Sequence, residues 1–197
     1  MELTTHAIVL SLQRHNDREH ILHAYTRDGG RVNYMVYGAG SKRKPTAMYN
    51  PLSVIEVTAT VKPNMPPVIK EARLVYVPQS QAADPRRQAV SLFIAEMMYR
   101  TLRHPMTDNA MYHMAEQYAR EVWEAEDIEN VHLRFLVDFA TALGIGITEE
   151  ADQALLVLPQ SRKERQTQIR NLCLYYQTHL DDFIEPKSFD VLMELFD

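Results

Sequence analysis

The sequence predicts an α+β protein, with an N-terminal five-stranded OB-type β-barrel followed by an all-helical C-terminal domain. Three observations carry that prediction. Five short runs rich in β-branched and aromatic residues fill the first 79 positions. No helical pattern long enough for a βαβ crossover separates them. Beyond about residue 83 the apolar residues switch to helical spacing. Five strands without crossovers close most simply into a small barrel, for which an SH3-like arrangement is the second choice.

The strand runs are THAIVLSL (5–12), HILHAYTR (20–27), RVNYMVY (31–37), PLSVIEVTATV (51–61) and PVIKEARLVYV (67–77). In the fourth, Val54, Glu56 and Thr58 alternate with Ser53, Ile55 and Val57, the pattern of a half-buried strand. Asp28-Gly29-Gly30 marks a tight turn between the second and third runs, and the segment from Lys62 to Pro67 separates the fourth and fifth. A boundary falls at Pro78 to Asp84, dividing residues 1–79 from 84–197. Asp84-Pro85 then pairs an N-cap residue with proline at the first helical position. Val90, Phe93, Ile94 and Met97 follow at helical spacing, ending near His104-Pro105. Asp108 caps a second helix and Asn130 a third, in which Leu133, Leu136, Val137, Ala140 and Leu143 share a face until Gly144 stops it. A break (146–159) precedes a helix over about 162–181 and a short one near 188–196.

The chain carries a formal net charge of −5, but the sign is split. Residues 1–79 have ten Lys/Arg against six Asp/Glu, and residues 80–197 have eleven against twenty. A basic first part and an acidic second part suggest separate partners. No run approaches the roughly 18–20 apolar residues of a membrane span, and the first residues lack the pattern of a signal peptide. A soluble, cytoplasmic protein is expected. The single cysteine, Cys173, excludes an internal disulfide and a multi-cysteine zinc site, and its leucine neighbours indicate a buried thiol.

The most concentrated positive charge lies in YGAGSKRKPTAMYN (37–50), between the third and fourth strands. A phosphate-binding P-loop needs Gly-Lys-Ser/Thr opening a helix. Here the order is Gly40-Ser41-Lys42, and a strand follows. What remains is a loop with Lys42, Arg43 and Lys44 in series beside Ser41, Tyr37 and Tyr49. Cations neutralise nucleic-acid phosphates, and rings offer faces to bases. Arg14 and Arg18, between the first two strands, and Arg31, beside the Asp28-Gly29-Gly30 turn, add charge on the same barrel. A solvated basic turn without a partner is the plain alternative.

Other chemistry is weakly signalled. His20 and His23 point to opposite faces of a strand, and nothing resembles His-Glu-x-x-His, so neither a metal nor a cofactor is expected. Glu124, Glu126, Asp127 and Glu129 read as a solvated helix end. Five of ten methionines fall within 97–114, mostly as core with some capacity to line a peptide groove. Arg120 and Arg134 would suit a ligand with an acidic, apolar end, against the default of surface ion pairs.

Several stretches in order resemble the recombination mediator family RecO. They are AIVLSLQRHNDREHILHAYTRDGGRVNYMVYGAGSKRK, YNPLSVIEV and HLRFLVDFATALGIG. The resemblance covers about 1–147 and thins out after that. It implies an OB-fold with a helical domain, binding of single- and double-stranded DNA, and annealing of complementary strands. It also implies work with RecR to load RecA at gaps, hence DNA repair near the nucleoid, and capture of the acidic tail of single-stranded DNA-binding protein. Carried over, the DNA contacts are Lys42, Arg43 and Lys44, with Arg14, Arg18 and Arg31 behind them. Arg134 would grip the tail carboxylate, with Leu136 and Val137 as pocket wall. Many members carry a four-cysteine zinc ribbon after the Leu-Gly segment, where this chain reads IGITEEADQALLVLPQS. It resembles the branch without the metal. The rivals are a protein-interaction adaptor that binds peptide rather than DNA and, more remotely, a hydrolase around Glu124 to Glu129.

Overall fold

The computed structural model describes residues 1–39, 46–77, 84–103 and 107–196. Five strands come first: β1 (Glu2–Arg14), β2 (Glu19–Thr26), β3 (Gly30–Tyr37), β4 (Val54–Lys62) and β5 (Met65–Leu74). They close into a barrel in the order β1-β2-β3-β5-β4, with β4 returning to β1. All neighbours are antiparallel except β3 and β5, which meet in parallel at Met35 and Val68. This closure is that of an OB-type barrel, as expected.

The alternation seen in the sequence fills the interior. Ala7, Val9, Leu22, Ala24, Tyr34, Val36, Ile55, Val57, Ala59 and Ile69 form one buried cluster. β1 is long enough to pair with both β2 and β4, and its register slips between Val9 and Ser11. Such an irregularity bends a strand, which a closed barrel of five strands requires. β4 begins at Val54 rather than at Pro51. The bonds from Leu52 N–H to Val9 O (2.8 Å) and from Val9 N–H to Ser53 O (2.9 Å) turn the chain there. Leu52 sits at φ 66°, which no strand residue adopts.

The helices are α1 (Pro85–Thr101), α2 (Asn109–Glu124), α3 (Val131–Ala142), α4 (Arg162–His179) and α5 (Ser188–Leu195), with short 3-10 turns at Ile128–Asn130 and Glu150–Leu156. Asp108 caps α2 as expected, accepting from Met111 N–H at 3.0 Å. Asn130 is the N-cap residue of α3, as expected, but makes no side-chain cap bond; Asp127 caps the preceding 3-10 turn, accepting from Glu129 N–H and from Asn130 Nδ2. Gly144, at φ 80°, ends α3 while Ile145 N–H returns to Ala140 O.

The chain divides into two compact units. One is Met1–Gln79 with Leu102–Ala119; the other is Ser80–Thr101 with Arg120–Asp197. In the first, Ile8 and Tyr25 are paired across β1 and β2 and fully buried, yet neither belongs to the barrel's interior cluster. The Tyr25 phenol bonds the backbone of Asp108, and Arg31 Nη1 donates to Leu102 O at 3.0 Å. Leu102 and Asp108 therefore reach the outside of β2 and β3. In the second unit, Phe135, Phe139 and Tyr176 stack in series, and the Tyr176 hydroxyl donates to Leu136 O at 2.7 Å. Glu96 accepts from Ser188 N–H (2.9 Å), Ser188 Oγ (2.7 Å) and Lys187 N–H (3.0 Å), closing the first turn of α5 from another helix.

Candidate nucleic-acid interface

The β1–β2 turn is built around Asn16. Its side-chain oxygen accepts from Arg18 N–H (2.9 Å) and Glu19 N–H (3.0 Å), while Glu19 O accepts from His15 N–H (2.9 Å). An Asn closing its own turn in this way is a local, sequence-encoded geometry. Arg14 pairs with Asp17 at the tip and reaches Asn16 O, with most of its side chain in solvent. Arg18 is exposed, and among the described residues its side chain takes no ion pair.

The same tip touches the end of β3. Gly38 N–H donates to Arg18 O at 3.0 Å, and Tyr37 pairs with Glu19 across β2 and β3. Gly38 sits at φ 67°, a conformation that favours glycine. Tyr37 is 44% exposed. Ser41, Lys42, Arg43 and Lys44 lie outside the described residues. Among the described residues to either side, Ala39 and Met48 both pack against the barrel's interior cluster. The described residues on both sides of the basic segment thus pack on the barrel, and Gly38, just before Ala39, is hydrogen-bonded to the turn that carries Arg14 and Arg18.

Two expected DNA contacts are placed elsewhere. Tyr49 is 2% exposed and belongs to the interior cluster, where burial raises its phenol pKa. Its ring offers no face to a base; it closes the barrel. Arg31 is half-buried, and its guanidinium is committed to the Leu102 carbonyl. That bond lies on the outside of β2 and β3, the face that OB-type barrels generally present to a nucleic acid. Here His23 is also buried on it, bonded through Nδ1 to Asn33 Oδ1 at 2.6 Å. Burial lowers the imidazole pKa, and the nearby Arg31 charge adds to this against the Asn33 bond.

In the helical unit, Arg134 Nη2 meets Glu121 Oε1 at 2.5 Å, half-exposed on both sides. Arg120 and Val137 are half-buried. Leu136 is fully buried and cannot wall an open pocket; it belongs to the core that α3 shares with α4. The acidic run has structural duties. Asp127 caps a turn, and Glu129 meets Arg165 Nη2 at 2.6 Å and Arg86 Nη1 at 3.9 Å. Among the described residues, no group of His, Cys, Asp and Glu is arranged to hold a metal ion. Cys173 is buried, and burial pushes its thiol up to about 12. No described helix is long and apolar enough to cross a membrane. Asn16 is the site residue that sequence reading passed over, although Asn-Asp between two strand runs is itself a turn signal.

Residues 1–77 match the family model described as the N-terminal part of recombination protein O. A DNA repair protein RecO from Phocaeicola vulgatus is 30% identical, with 98% of each chain covered. The chain belongs to the RecO family. Relatives of the same name from Christiangramia forsetii and Porphyromonas gingivalis are 25% and 27% identical over the full length of both chains. The RecO relationship makes this a DNA repair protein, and the closed barrel followed by helices is the family's architecture.

Proposed function

We propose that this chain is a non-enzymatic recombination mediator that binds single- and double-stranded DNA at one end of its barrel and anneals complementary strands. The observation that carries the reading is the Gly38–Arg18 hydrogen bond, which ties the roots of two cationic loops together. Lys42, Arg43 and Lys44 would neutralise backbone phosphates, Arg14 and Arg18 would extend the positive surface, and Tyr37 would stack on a base. Ser41 would bond a phosphate oxygen. Cations shared between two phosphate backbones lower their mutual repulsion, so that complementary strands can approach and pair.

We assign DNA handling to residues 1–79 and partner docking to residues 84–197, at the nucleoid in the cytoplasm. The partners proposed are RecR, RecA indirectly through loading at gaps, and the acidic tail of single-stranded DNA-binding protein. For that tail, Arg134 would exchange Glu121 for the partner's carboxylate, with Arg120 and Val137 alongside. The RecO family membership supports the DNA repair setting in which these assignments are made.

Fluorescence anisotropy of a labelled single-stranded oligonucleotide, at low and moderate salt, tests the reading. Native protein should bind with a steep salt dependence, which the triple substitution Lys42→Ala/Arg43→Ala/Lys44→Ala should flatten. Absence of DNA binding even at low salt, with retention of a partner peptide, would replace the mediator by an adaptor.

A further inference from the structure

The helical unit exposes an apolar surface that the proposed DNA role does not use. The 3-10 turn Glu150–Leu156 runs into Val157 and Leu158 beside α4. Gln168 Nε2 donates to both Leu155 O (2.6 Å) and Val157 O (3.1 Å), fixing this backbone against the helix. The side chains nevertheless stay outside: Leu156, Val157 and Leu158 are all exposed, Val157 to 67%. On α4, Leu174 is 60% exposed. Apolar groups held in water by a dedicated hydrogen-bond clamp indicate a surface that is covered in use.

Beside α4 lies a cleft of about 470 Å³ whose lining includes Glu149, Asp152, Leu155, Leu174, Tyr175 and His179, with Leu156, Val157 and Leu158 following it in the chain rather than lining it. Its floor is rigid. Tyr175 is buried, donates to Ile145 O (3.0 Å) and stacks on His179 with ring centroids 4.0 Å apart. Asn171, Leu174, Tyr175 and Thr178 follow one another at i, i+3, i+4 and i+7, so they form a continuous ridge over two turns. Two carboxylates line the cleft and, among the described residues, no lysine or arginine does. Glu150 precedes it and Asp181 and Asp182 follow, all exposed.

From the apolar ridge and the acidic rim together, we infer that this cleft docks a basic amphipathic helix of a partner protein, leucine-like residues against Leu174 and Leu155 and lysine or arginine against Glu149 and Asp152. Helix-in-groove recognition needs this combination of apolar anchors and flanking charge. An acidic tail is repelled here, so the site is separate from the one proposed for Arg134. A DNA backbone is repelled for the same reason.

The test uses the full chain and a labelled amphipathic peptide with leucine on one face and lysine on its flanks, followed by anisotropy. A second peptide carries glutamate in place of each lysine. The lysine peptide should bind and the glutamate peptide at least about tenfold more weakly. Leu174→Asp should abolish binding without lowering Tm, since that side chain already faces water. Glu149→Lys/Asp152→Lys should invert the preference between the peptides. Hydrogen exchange should slow over residues 149–158 when the lysine peptide is present. Equal binding of both peptides, binding unaffected by Leu174→Asp, or no binding would each overturn the inference. DNA affinity measured on Leu174→Asp should not move, which separates this outcome from that of the mediator reading.

Discussion

Arg18 and Arg31 are the same residue on the same barrel, one turn of chain apart in the β1–β2–β3 meander, and the structure uses them in opposite ways. Arg18 stands in solvent on a turn held by Asn16, with its backbone bonded to Gly38. Arg31 is drawn in by a carbonyl 71 positions along the chain, on a face where Tyr25 and His23 are buried. The comparison teaches that positive charge near a barrel is not by itself a nucleic-acid contact. What decides is whether the chain's own later segments have claimed the guanidinium. Among the described residues, they claim the flank of the sheet and leave Arg18 in solvent.

The comparison can be broken most severely at its buried members. Tyr49→Ala should cost about 3–5 kcal/mol, as truncation of large core aromatics does, and DNA affinity should fall only in step with the unfolded fraction. Denaturant unfolding monitored by circular dichroism measures the first and anisotropy the second. Were Tyr49→Ala as stable as the native chain but deficient in DNA binding, the ring would belong to the site after all. At the open end, Lys42→Ala/Arg43→Ala/Lys44→Ala should lower single-strand affinity by roughly a hundredfold at low salt. It should also reduce the salt slope by about 2, the loss of up to three phosphate contacts.

Arg31→Ala leaves the Leu102 carbonyl without its donor and should destabilise the protein by about 1–3 kcal/mol, with the salt slope of DNA binding unchanged. A shallower slope in this variant would return Arg31 to the interface. His23, on the same covered face, adds a pH dependence. Burial holds its pKa below the usual 6.5, so the unfolded chain takes up a proton that the folded chain refuses. The stability linked to it is therefore full above pH 6.5 and declines as the pH falls through 6.5 toward the lowered value. His23→Gln should make that part of a pH–stability profile shallower, leaving the part owed to buried His132, whose pKa burial pushes down to about 3; an unchanged slope would mean that His132 alone carries it. Smallest of all, Arg18→Ala should weaken DNA binding about threefold with Tm unchanged.

The barrel was legible because its signal is local. Ile55, Val57 and Ala59 alternate with polar residues, and the structure turns all three inward. Helix caps at Asp108 and Gly144 were legible for the same reason. The candidate site was legible only where its geometry is short-range, at the Arg14–Arg18 turn and Tyr37. Tyr49 sits in a single 3-10 turn with no period to show its direction, and a tyrosine suits a core as well as a surface. Leu136 illustrates a conflict between two signals: its helical spacing marked it as core, the family resemblance suggested a pocket wall, and the spacing was right. Arg31 could not be read at all, because its partner carbonyl is set by tertiary folding rather than by neighbouring residues.

Because Asp108 bonds Tyr25 and Leu102 bonds Arg31 on the outside of β2 and β3, that flank of the barrel is complete only when a stretch made well after its last strand has arrived. During synthesis the five strands leave the ribosome first and close with an uncovered apolar flank. At about 5–20 residues per second, the roughly 40 residues from 79 to 119 take roughly 2 to 8 seconds to follow. For that interval the nascent chain carries a sticky patch beside a finished barrel, and it is then that a chaperone has something to hold.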